Sequence, residues 1–100
     1  MGYSVSKHSD PARKLYSFNK SLGRLRGAIK SGDDSRHIFK AAEKVRQAAL
    51  ALIKAKRSLL REYPDRDSGG RQLRNLEDEE QRWLAYAAEE IAAEYGNPNR

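Results

Sequence analysis

Residues 34–63 read DSRHIFKAAEKVRQAALALIKAKRSLLREY and form the longest helical pattern of the chain. Apolar residues recur every seven positions and alanines fill the turns between them, which is typical of one face of a helix. The recurring set is Ile38, Val45, Leu52 and Leu59, widened by Ala42, Ala49, Ile53 and Leu60. Because an apolar arc this broad suits a helix with two neighbours, we predict a central helix that ends before Pro64.

The preceding segment predicts a first helix over residues 10–31. Asp10 is a good N-cap, and Pro11 falls in the first turn, where its missing N–H costs nothing. Gly32 is the expected stop. The apolar positions between them form a single a/d seam of Leu15, Phe18, Leu22, Leu25 and Ile29.

The segment after Pro64 predicts a turn and then a third helix over residues 71–95, which Gly96 ends. The apolar face of this helix comprises Leu76, Trp83, Leu84, Ala87, Ala88, Ile91 and Tyr95. Acidic residues crowd its first half, where they favour the helix dipole.

Loops as short as these force neighbouring helices to run antiparallel. We therefore predict an all-α protein, an antiparallel up-down-up three-helix bundle with helices at about 10–31, 34–63 and 71–95. The bundle would form a single domain over residues 10–96. A disordered N-terminal tail over 1–9 and a flexible C-terminus over 97–100 would flank it.

Two expectations follow for the helix faces. Helix 1 is shorter than helix 2, so part of the apolar stripe of helix 2 is expected to stay uncovered and to serve self-association. Projection at about 100° per residue places Lys56 in the middle of the arc of helix 2 and Glu80 in the middle of that of helix 3. We therefore predict a partly buried ion pair of Lys56 with Glu80 or Glu77 that fixes the helix register, with a proton or ion relay as the alternative.

Charge is distributed unevenly along the chain. Residues 1–32 carry a net charge of +6, residues 33–63 carry +4 and residues 64–100 carry −4. A row of basic residues lies away from the apolar stripes of the first two helices and comprises Arg13, Lys20, Arg24, Lys54, Arg57 and Arg61. Because such a face neutralises phosphates, nucleic-acid binding by helix 1 and the outer face of helix 2 is the alternative function.

The composition argues against several other chemistries. The chain has no cysteine and only two histidines, so disulfides, thiolate catalysis and the usual zinc sites are excluded. No nucleophile motif or P-loop is present, and we expect neither enzymatic activity, nor a cofactor, nor a small-molecule substrate. No run approaches the ~20 apolar residues that a membrane span needs. We expect a cytoplasmic protein, with a membrane partner only if Gly2, in the pattern M-G-x-x-x-[ST], is acylated.

Residues 37–42, HIFKAA, resemble over six residues the H-x-x-K-G-[SA] motif of histidine phosphotransfer domains, which are helical bundles. The resemblance implies that His37 accepts a phosphoryl group and that Lys40 stabilises its charge. This sequence departs from the motif at Ala41, where the family has a glycine that gives the partner protein access. An ordinary surface histidine is the alternative, and we adopt it.

The sequence therefore predicts a small non-enzymatic helical module that acts through helix-face protein–protein association, including self-association. The uncovered stripe of helix 2 and the basic helix 1 would be its contact surfaces.

Overall fold

A computed structural model describes residues 10–96 of the chain, and all of its regular secondary structure is helical. The prediction of an all-α protein is confirmed. The described residues form four α-helices: α1 (Asp10–Ser31), α2 (Ser35–Glu62), α3 (Arg71–Ala85) and α4 (Ala88–Tyr95). Two short 3₁₀ turns, Pro64–Arg66 and Ser68–Gly70, connect α2 to α3. The predictions for residues 1–9 and 97–100, including acylation of Gly2, lie outside the described residues.

A three-residue turn joins α1 to α2. Gly32 adopts a left-handed backbone conformation with φ of 73°, as expected for a glycine that ends a helix. The Asp33 N–H donates to the carbonyl of Ala28, and the Asp34 side chain accepts a bond of 3.0 Å from the His37 N–H. These bonds satisfy both helix ends locally, and for that reason the sequence located them within one residue.

The core follows α2, which contacts α1 on one side and α3 and α4 on the other. Leu25 of α1 and Ile91 of α4 are fully buried against it, and Trp83 of α3 is nearly so. The alanines of α2 let these neighbours approach closely, and Ala42 is completely covered. Within the described residues, α2 is therefore central as predicted, but it packs against three helices rather than two.

The predicted single helix over 71–95 is wrong, because the helix breaks at Tyr86 and Ala87. Both residues have extended backbones, although neither is a glycine or a proline. Arg46 of α2 donates a 2.6 Å bond to the backbone carbonyl of Tyr86, a group that a continuous helix would hold inside its own ladder. At the start of α4, the Glu90 carboxylate accepts from the Ala87 N–H at 3.0 Å. The break lets α4 turn onto both α1 and α2.

Gly96 follows α4, as predicted, but without the left-handed turn that usually requires a glycine after a helix. Its backbone is right-handed, with φ of −80°, so no left-handed turn requires a glycine there. A Cβ at this position would overlap the Cδ1 of Ile29 and would lie 2.5 Å from the carbonyl oxygen of Ala92. A side chain here would therefore meet two obstacles: the backbone carbonyl of Ala92 in α4 itself, which cannot move aside, and the flexible end of Ile29 from α1.

Candidate association groove and basic cleft

A groove opens between α1 and α3, with α2 as its floor. No extended contact joins α1 to α3. Across the gap, the rings of Phe18 and Trp83 meet in an edge-to-face arrangement with centroids 5.8 Å apart. Two cavities of about 360 and 200 Å³ follow this opening, and together they define what we call the open groove. Its main lining residues are Pro11, Phe18, Leu52, Lys56, Leu59, Leu76, Glu79 and Trp83.

Apolar side chains are left exposed beside the open groove. Leu15 lies about one turn from both Pro11 and Phe18 and keeps 45% of its surface exposed, although the seam of helix 1 predicted it in the core. Tyr16 is 70% exposed. The α2 stripe was expected to stay partly uncovered, and this expectation is not met, because each residue of the predicted stripe is buried or, like Leu59, half-buried.

Leu84 was also predicted on the core face, and this prediction is wrong, since 54% of its surface is exposed. It follows Arg82, which lines the open groove, by two residues and therefore lies on nearly the opposite side of α3. Leu84 is thus an exposed leucine outside the open groove.

Glu80 forms an ion pair with α2, but its partner is Arg57, whereas Lys56 was predicted. Glu80 pairs with Arg57 through Oε1 and Nη2 at 2.8 Å, and both side chains are mostly buried. Lys56 is exposed and lines the open groove. Lys56 lies in the middle of the apolar arc of α2, and this part of the arc faces the gap between α1 and α3. Arg57 lies on the α3 side of α2, so it reaches Glu80 instead.

An aromatic cluster closes the other end of the open groove. Trp83 stacks on Tyr95 at 5.2 Å between ring centroids and meets Tyr86 edge-on at 5.3 Å. The Tyr86 hydroxyl donates to the Glu94 carboxylate, and Arg82 binds both of these groups. Burial, reinforced by the bond to Glu94, raises the pKa of Tyr86, and burial also raises the pKa of Tyr95. The hydrogen bond to Tyr86 raises the pKa of Arg82. The cluster fixes the corner between α3 and α4.

The predicted basic residues are not equivalent in the structure. Arg57 is held by Glu80 and is not free to bind a phosphate. The others are exposed and form no ion pair with any residue of the described range 10–96, namely Arg13, Lys20, Arg24, Lys54 and Arg61.

A basic cleft of about 210 Å³ lies between α1 and α2, on the side of the hairpin that does not face α3. Arg24 enters it from α1, and Lys40 and Lys44 enter it from α2. The remaining lining residues are Ser21, Ala28, Asp33, His37 and Ala41. Sequence reasoning missed this site because it did not group Lys44 with Lys40, although their spacing of four puts both on one helix face.

His37 lies in the first turn of α2 and is exposed. Its side chain approaches Asp34 at 4.0 Å. Within residues 10–96, no three histidine, aspartate or glutamate residues form a group that could hold a metal ion. No helix in this range is long and apolar enough to cross a membrane.

Comparison of the chain with protein-family models, curated proteins and solved structures finds no match.

Proposed function

We propose that this chain is a cytoplasmic, non-enzymatic helical interaction module that associates through the open groove, and that the occupant of the groove is a second copy of the chain. The observation that carries the proposal is the exposed Leu15 beside an apolar channel that α1 and α3 leave open. Exposed apolar surface of this kind is costly in water and is typical of contact surfaces.

The surface of α1 next to the open groove supports a helix-face contact. Five exposed positions on this side carry no charge, and they are Ala12, Leu15, Tyr16, Asn19 and Gly23. Their spacing follows the helical period, so they form one continuous strip. The rest of α1 is strongly basic, with Arg13 at the border of the strip. An uncharged strip on so charged a helix is suited to lie against another helix.

A second copy fits this surface because the strip and the open groove are adjacent. Rotation by 180° about an axis between them would place the strip of each copy in the groove of the other, which is a closed, isologous contact. The charges agree with this arrangement. Glu79 is exposed on the α3 wall, and Arg13 borders the strip that would face it.

The proposed dimer uses an up-down-up bundle in which α3 and α4 together form the third layer. Two contacts support antiparallel packing of this layer on α2. Arg57 pairs with Glu80, while Arg46, earlier in α2, reaches Tyr86, later in the chain. The order of the contacts is therefore reversed between the two segments.

Sedimentation velocity over a range of protein concentrations tests the proposal, with Leu15→Glu as the disrupting variant. We expect a monomer–dimer equilibrium for the unchanged chain and at least a tenfold weaker dimer for Leu15→Glu, about 1.4 kcal/mol. Leu84→Glu is the matched control, since Leu84 is equally exposed but lies outside the open groove. Circular dichroism checks that both variants fold.

A monomer at every concentration would contradict self-association, and equal weakening by both substitutions would contradict the open groove as its site.

Nucleic-acid binding is the second candidate function. The observation that favours it is the set of exposed basic residues of α1 and α2, from which Arg57 is now removed.

A further inference from the structure

The basic cleft lies apart from the open groove, and none of the residues that line it lines the groove. Its three permanent cations come from two helices: Arg24 from α1, and Lys40 and Lys44 from α2. Lys40 and Lys44 are one turn apart, where like charges destabilise a helix by about 0.2–0.5 kcal/mol. An anion in the cleft would relieve this repulsion.

The surrounding acids do not neutralise these cations. Glu43, next to Lys44 in the chain, is held by Arg46 through bonds of 2.7 and 2.9 Å. Asp34 caps α2. Asp33 lines the cleft, but it forms no ion pair with any residue in the range 10–96. The cleft therefore carries a net positive charge even with Asp33 included.

The cations continue beyond the cleft along α1. Lys20 and Arg13 share a helix face with Arg24, and all three are exposed. The row from residue 13 to residue 24 is about 16 Å long at ~1.5 Å per residue. A nucleic-acid duplex presents a negative charge every ~1.7 Å along its axis, so a row of this length matches a polyanion better than a single small anion.

We propose that the basic cleft binds backbone phosphates of a nucleic-acid duplex lying along α1, with Arg24, Lys40 and Lys44 holding the phosphates at one end of the row. The proposal rests on the nucleic-acid candidate named above and does not depend on the dimer. The cleft is lined by no phenylalanine, tyrosine or tryptophan, so we assign its recognition to phosphate contacts rather than to base stacking. Binding is therefore expected to be independent of base sequence.

Fluorescence anisotropy of a short labelled DNA duplex, measured at low and at physiological salt, tests this proposal. The disrupting variant is Lys40→Glu with Lys44→Glu. Its control is Arg71→Glu with Arg74→Glu, which changes the net charge by the same amount at exposed positions of α3. We expect the cleft variant to bind at least about tenfold more weakly than the control and to have a shallower salt dependence by about two counterions.

Two further variants sharpen the test. Asp33→Asn removes the one acid that lines the cleft, so it should tighten binding to the duplex. Arg13→Glu distinguishes a duplex from a small phosphate as the ligand. It should lower the affinity for the duplex but leave the affinity of the cleft for inorganic pyrophosphate, measured by competition, unchanged. Leu15→Glu, which tests the dimer, should leave the intrinsic affinity of the cleft for the duplex intact.

Equal losses in the cleft variant and its control would show that only net charge matters and would overturn the proposal. Absence of binding by the unchanged chain at low salt would overturn it as well. Insensitivity of duplex binding to Arg13→Glu, together with competition by pyrophosphate, would replace the duplex with a small phosphate as the ligand and would also contradict the proposal.

Discussion

Substitution of Arg46 by methionine is expected to destabilise the fold strongly, although Arg46 is not fully buried. Arg46 holds the corner between α3 and α4 through its 2.6 Å bond to the Tyr86 carbonyl. It also forms a bidentate pair with Glu43, at 2.7 and 2.9 Å from Nη2. Methionine retains the length and the apolar contacts of the side chain but removes both interactions.

The magnitude follows from these two contacts. A hydrogen bond from a charged group contributes about 1.5–3 kcal/mol. The half-buried pair with Glu43 adds about 0.2–0.5 kcal/mol, as for other pairs three residues apart on a helix. We therefore expect Arg46→Met to lower the free energy of unfolding by about 2–3 kcal/mol, out of a total of about 5–15 kcal/mol for a domain of this kind. The melting temperature should fall by about 10–20 °C.

Urea unfolding followed by circular dichroism and by Trp83 fluorescence measures this change. Trp83 is the only tryptophan of the chain and packs against Tyr86, so its emission reports on the corner directly. Glu43→Gln is the matched control, because it removes the ion pair and leaves the bond to Tyr86, and it should cost less than about 0.5 kcal/mol. Equal costs for Arg46→Met and Glu43→Gln would refute the assignment of the corner to the Arg46 bond.

Two further predictions concern the C-terminal part of the fold. Gly96→Ala should destabilise the protein by about 1–3 kcal/mol in thermal unfolding, because its Cβ would crowd the backbone carbonyl of Ala92 and displace the end of Ile29. Gly27→Ala has open space around the new methyl group and should stabilise α1 by about 0.5–1 kcal/mol. A neutral Gly96→Ala would contradict the crowding at Gly96. The raised pKa of Tyr86 favours the neutral phenol in the folded state, so this stabilisation is present below pH ~10 and is lost as pH rises through the folded pKa. Urea midpoints measured from neutral to alkaline pH should therefore decline above pH ~10, and less steeply for Tyr86→Phe; identical slopes would contradict this role.

The two proposed sites share Arg13 but differ in the other charges around them. The open groove is bordered by basic α1 and acidic α3, so it suits a second copy that carries the same two surfaces. The basic cleft lies between two basic helices and has Asp33 as the one acid that lines it, so it suits a polyanion. The salt dependence of the two activities should differ accordingly, since apolar docking is weakly screened and phosphate binding is strongly screened.

The candidate sites could be predicted from the sequence only in part. Helix 1 is visibly shorter than helix 2, and from this we predicted an uncovered part of the α2 stripe, but α3 and α4 complete its cover and no residue of the stripe is exposed. The sequence could not show that Leu15 is exposed, since this depends on how far α1 stands from α3. It also could not show that Arg57 is held by Glu80, because that depends on which side of α2 faces α3.

The helical class and most helix ends were determined by the sequence alone. The starts of α1, α2 and α3 and the ends of α1 and α2 fall within one residue of their predicted positions. Asp34 and Gly32 act on backbone groups within a few residues of themselves, so neighbouring helices hardly affect them. Periodicity is local in the same sense, and it identified α2 as the central helix.

The break at Tyr86 and Ala87 was decided only by the tertiary structure. Nothing in the local sequence disfavours a helix there, and Ala87 and Ala88 favour one. The break is stabilised by Arg46, which is 40 residues away and binds the freed carbonyl, and by the packing of Trp83 on Tyr95. Gly96 has a mixed cause, because a side chain there would meet the nearby carbonyl of Ala92 as well as Ile29 of the distant α1. Contacts between residues far apart in the chain outweigh the weak helix propensity of the local residues. Such contacts cannot be read from a pattern along the chain.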